Sequence, residues 1–72
     1  MTILEEEKNI LKRVHIDMSK ATDRDGINKV YRQARVWNRY HHFLAQACSR
    51  NKYVYLNNKF KSYCKEAFKA LY

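Results

Sequence analysis

Proline is absent from this 72-residue chain, and glycine occurs once, at Gly26. A chain so poor in both breakers favours long helices over many short strands. Acid is also scarce: seven Asp and Glu stand against fifteen Lys and Arg, a formal net charge of +8. No apolar run approaches the ~18 residues that read as a membrane span. "EEEKN" interrupts "MTIL" at once, so no signal-peptide pattern opens the chain. The expectation is a cytoplasmic (intracellular) protein with no membrane partner. Cys48 and Cys64 are too few for a disulfide scaffold. Both fall at apolar-facing positions and read as reduced core thiols.

What is present is apolar and aromatic. Hydrophobic residues make up 46% of the chain, and one Trp, six Tyr and three Phe are among them. That is too rich for a disordered tail, and residues 1–72 read as one small helical domain. The positive excess gives a mostly basic surface, which attracts polyanions or acidic proteins.

Thr2 and Glu5 have the capping-box spacing, and Glu5, Glu6 and Glu7 place negative charge at the positive end of a helix dipole. Ile3, Leu4, Ile10, Leu11, Val14, Met18 and Ala21 follow at 3-4 spacing, which predicts a first helix over about 3 to 20. "ATDRDG" breaks it; Thr22 and Asp25 repeat the capping-box spacing, and Gly26 suits a turn. A second helix is expected from about 24 to 50, with Ile27, Val30, Ala34, Trp37, His41, Leu44 and Cys48 as its core stripe. "SRNKYVYLNN" predicts a turn near 51 to 52, then a third helix from Tyr53 or Asn57. Leu56, Phe60, Tyr63, Cys64, Ala67, Phe68 and Leu71 mark its inner side. The fold class that follows is all-α: a small three-helix antiparallel bundle with a long central helix.

The central helix carries more than a packing stripe. Val36, Tyr40, Phe43 and Ala47 form a second apolar group on its far side, and Arg32, Arg35, Arg39, His42, Gln46 and Arg50 occupy one flank. On the third helix Lys61, Lys65 and Lys69 repeat at i, i+4. Like charges at that spacing repel, whereas a solvated face ordinarily mixes signs. An anionic partner converts the repulsion into attraction, through counterion release where the partner is a nucleic acid. Arginine forks grip phosphate bidentately, and Tyr40 and Phe43 beside Arg39 and Arg32 offer rings for bases to stack on. Those two rings have an alternative place, packed under a neighbouring helix. Trp37 reads as core, an anchor for a small interior.

Other chemistry is poorly provided for. Each acid has a role as cap, turn former or i, i+4 partner, such as Asp17 four residues after Arg13. His41 and Cys48 are two helical turns apart, about 10 Å, too far to share an ion, and no C-x-x-C or H-x-x-x-H spacing occurs. No enzyme, metal site or cofactor is expected, and His15 reads as a surface residue. A major-groove helix-turn-helix reader is disfavoured, because that motif needs a short helix and a tight turn before its recognition helix. "VYRQ", Val30 to Gln33, resembles the Leu-Tyr-Arg motif of small mitochondrial helical adaptors that bind acyl carrier protein. Val stands here for the motif's Leu, and the position is mid-helix, so three residues assign no family.

Two functions follow as expectations. The first is a non-enzymatic module that binds RNA or DNA backbone with little base specificity. Its candidate residues are Arg32, Arg35, Arg39, His42, Arg50, Lys61, Lys65 and Lys69. The second is a small protein-binding modulator, an inhibitor or adaptor of the sort a phage or mobile element encodes. It would dock on an acidic host protein, or form a homodimer, through Val36, Tyr40 and Phe43.

Overall fold

The computed structural model describes residues 5–44 and 50–71 and places them in three helices: α1 (Glu5–Lys20), α2 (Arg24–Leu44) and α3 (Arg50–Leu71). No strand occurs among the described residues, and every helix packs on both others. The expected three-helix bundle is therefore the fold. Its central helix has 21 residues, against 22 in α3. Thr2, Ile3, Leu4, Ala45, Gln46, Ala47 and Cys48 lie outside the described residues.

The link between α1 and α2 is tighter than a glycine turn. Ala21 N donates to the Met18 carbonyl at 3.2 Å and closes α1. Asp23, rather than Thr22, is the cap of α2: its Oδ1 accepts from Gly26 N at 2.7 Å, and its carbonyl accepts from Ile27 N at 3.2 Å. One side chain thus satisfies an orphan donor of the first turn, and the carbonyl begins the helical ladder. Gly26 sits inside that turn with an ordinary φ. Its use is room, since a Cβ there would lie 3.0 Å from Asp23 Oδ1 and 3.4 Å from Ala21 Cβ.

Leu11, Val14 and Met18 of α1, Ile27 and Ala34 of α2, and Leu56, Phe60, Cys64 and Ala67 of α3 form the buried core. Phe60, Met18 and Ile27 are its most enclosed apolar side chains. Contacts along the helices show α1 and α3 running parallel. Glu7 pairs with Lys52 near their starts, and His15 meets Tyr63 and Glu66 further along. The middle helix returns between them, with Asn38 beside Tyr53 and Arg24 over the ring of Phe68. The result is a rod of 39 × 18 × 16 Å.

Four further expectations are corrected. The turn expected at 51 to 52 is absent, because α3 already runs from Arg50 through "YVYL". No breaker interrupts that segment, and a helix places Leu56 in the core at 2% exposure, which outweighs the strand propensity of the aromatic and β-branched residues. Arg50 accordingly belongs to α3 and not to the flank of the central helix, whose described part ends at Leu44. His41 is exposed; its ring leans on Trp37 at 4.3 Å near the end of α2 instead of entering the core. Trp37 is only partly buried, since an open groove of about 600 Å³ separates it and Val30 from Ile10 and Val14 of α1.

Candidate nucleic-acid interface

Four side chains assemble the outer edge of the α2–α3 seam: Asn38, Tyr53, Asn57 and Arg39. Asn38 follows Ala34 by four residues, so it shares the core stripe and is 2% exposed. A buried amide is costly unless hydrogen-bonded. Its Nδ2 donates to the Tyr53 carbonyl at 3.1 Å and to Asn57 Oδ1 at 2.8 Å. These bonds lock the register of α2 against α3, as a single seam asparagine does in a coiled coil. His42, one turn beyond, lays its ring against Tyr53 at 4.7 Å, and its Nδ1 is buried without a hydrogen-bond partner.

The seam orients a hydroxyl and two guanidinium groups. Hydrogen bonding by Asn57, and next by Arg39, holds the Tyr53 phenol below its ordinary value of 10.0; the charges of Arg39 and Arg35 act in the same direction, and burial opposes them. Arg35 also lies over the Tyr31 ring, 5.7 Å from its centroid. Tyr53 therefore marks the place where the arginine row of α2 meets α3.

Helical geometry places the remaining candidates. Counting about 100° per residue from Ile27, Arg35, Arg39 and Arg32 fall at about 80°, 120° and 140°. Lys61 and Lys65 fall about 100° and 140° from Phe60, in the same sense as Asn57, and Lys69 turns further outward. Both rows thus flank the outer edge of one seam, and Arg50 stands near the His42 end. Arg32, Arg35, Arg39, Arg50, Lys61, Lys65 and Lys69 are all exposed. Among the described residues none of the seven pairs with a carboxylate. Three of the seven acids are used elsewhere: Glu7 on Lys52, Glu66 on His15 at 3.1 Å, and Asp23 on the cap. His15 is a half-exposed surface residue, as expected, and also stacks on Tyr63 at 4.3 Å.

The second apolar group is on the surface. Val36 is 65% exposed, Tyr40 58% and Phe43 76%, so neither ring packs beneath a neighbouring helix. Cys64, by contrast, is the expected buried free thiol, and burial raises its pKa. Among the described residues no three His, Cys, Asp or Glu lie close enough to hold a metal ion, and no helix is long and apolar enough to cross a membrane.

Asn38, Tyr53 and Asn57 are not among the residues that spacing singles out for a site. A signal for Asn38 was present, since a polar residue stood four positions after Ala34 on an apolar stripe. For Tyr53 and Asn57 there was none, because their use depends on which helix lies opposite. No family model, curated protein or solved structure matches the chain, so the "VYRQ" likeness goes no further.

Proposed function

We propose that this chain is a non-enzymatic module that binds the phosphate backbone of nucleic acid along the outer edge of the α2–α3 seam. One observation carries the reading: two exposed basic rows border the same seam, and no carboxylate neutralises them among the described residues. Self-repulsion of that kind weakens the isolated fold, and a row of phosphates relieves it. Arg35 and Arg39 supply bidentate forks, and Lys61 and Lys65 supply point charges across the seam. Cations that grip phosphates carry no sequence information by themselves, so little base specificity is expected. A cytoplasmic setting suits both nucleic acid and the free thiol of Cys64.

Binding of labelled oligonucleotides across a salt series tests the proposal. The logarithm of affinity should fall linearly with the logarithm of salt concentration, and Arg35→Glu, Arg39→Glu and Lys65→Glu together should abolish binding. Undiminished binding by that triple variant would end the reading.

A second reading draws on the exposure of Val36, Tyr40 and Phe43. Aromatic rings beside arginines are the usual material of protein interface hot spots. On that reading the chain is a modulator docked on an acidic protein, and Tyr40→Ala with Phe43→Ala should abolish capture while the bundle stays folded.

A further inference from the structure

The exposed ridge on α2 bears on which form of nucleic acid binds, an inference that rests on the backbone-binding reading above. Phe43, Val36 and Tyr40 fall at about 160°, 180° and 220° from Ile27, directly opposite the core. Arg39 and Arg32 lie between this ridge and the seam, so the arginine row borders the ridge along its length. Tyr40 and Phe43 are the two large rings of the ridge, at 58% and 76% exposure.

Three occupants compete for such a ridge. An apolar partner helix seated on so narrow a ridge, about 60° wide, would also cover Lys29, Arg32 and Arg39, and burying unpaired cations is costly. A second copy of the chain would bring Arg32, Arg39 and Lys29 against their own counterparts, and no carboxylate partners them among the described residues. Nucleic acid meets both chemistries, because phosphates suit the arginines and base faces suit the rings.

The form of that nucleic acid follows from spacing and shape. Positions four apart on a helix are about 6 Å apart, and positions three apart about 4.5 Å. The rise along one strand of a duplex is about 3.4 Å. Successive bases resting on Tyr40 and Phe43 are therefore drawn apart beyond the stacking distance of a duplex. A duplex also buries its base faces, and rings on the crest of a convex helix reach only faces that are already free.

We propose that the ligand is single-stranded nucleic acid, its bases stacked on Tyr40 and Phe43 and its phosphates following Arg32, Arg35 and Arg39. The rings give retention without reading base identity, since every base has a face.

The experiment compares a labelled oligothymidylate with a labelled hairpin duplex of equal phosphate number, by fluorescence anisotropy at moderate salt. The single strand should bind at least about tenfold tighter. Tyr40→Ala and Phe43→Ala should each weaken it by about 5- to 150-fold, the range that stacking on one ring commands. The salt slope should stay unchanged, because no phosphate contact is lost. Tyr40→Leu with Phe43→Leu keeps apolar bulk and should lose as much as the alanine pair. Equal affinity for strand and duplex, or full affinity in the leucine pair, would overturn single-strand stacking and leave backbone binding in place. Failure of both ligands to bind at any salt concentration would remove the parent reading with it.

Discussion

The side-chain amide of Asn38 donates to Asn57 Oδ1 at 2.8 Å across the α2–α3 seam, and Asn38 is 2% exposed. A buried bond of this kind sets register. The same amide also donates to the Tyr53 carbonyl, so loss of Asn38 removes two hydrogen bonds from a half-buried seam. Asn38→Ala should cost about 1–3 kcal/mol for the two lost bonds, with a cavity cost added. Asn57→Ala should cost less in the Asn38→Ala background than in the parent chain. Chemical denaturation of the four members of this cycle measures the coupling, and strict additivity would show the bond to be incidental.

Phe60 and Phe43 have the same side chain and opposite surroundings, at 0% and 76% exposure. Phe60→Ala should cost about 3–5 kcal/mol, much of the stability of a chain this small. Phe43→Ala should change stability by no more than about 0.5 kcal/mol. Thermal melts of the two variants test this directly.

Tyr53 should lose its proton below the ordinary tyrosine value. Its folded pKa lies below the ordinary value, so the linked stability is complete above the unfolded pKa of 10.0 and is lost as pH falls through the folded pKa. Ultraviolet titration of phenolate should show an early component that Tyr53→Phe removes. Asn57→Ala and Arg39→Gln should each move that component toward the ordinary value. Titration identical in the parent and Tyr53→Phe would dismiss the seam hydrogen bonds as its cause.

Cys64 should resist alkylation in the folded protein. Burial raises its pKa and encloses the sulfur, and the thiolate is the reacting form. In a Cys48→Ser background, the thiol should react slowly under native conditions and at the rate of a free thiol in denaturant. A fast native reaction would place Cys64 outside the core.

At the first turn of α2, Asp23→Ala should cost about 1 kcal/mol, because Gly26 N loses its acceptor. Thr22→Ala should cost far less, which separates the observed cap from the one that the capping-box spacing suggested.

Periodicity alone determined that this chain is a helical bundle. Leu11, Val14 and Met18, then Ile27, Val30 and Ala34, then Leu56, Phe60 and Cys64 recur every three or four residues, and burying each stripe leaves three helices little choice but to pack together. The unbalanced charge and the outward-facing arginines, lysines and rings were legible for the same reason, since spacing on a helix fixes direction. Tertiary packing decided what spacing leaves open. It began α3 at Arg50 because Leu56 gains more from the core than "YVYL" gains from an unpaired strand. It also seated Asn38 against Tyr53 and Asn57, and it left Trp37 half covered beside a groove. Each of these depends on which helix stands opposite, at which height. Height between helices is set by contacts far apart in the chain, and no local pattern encodes it.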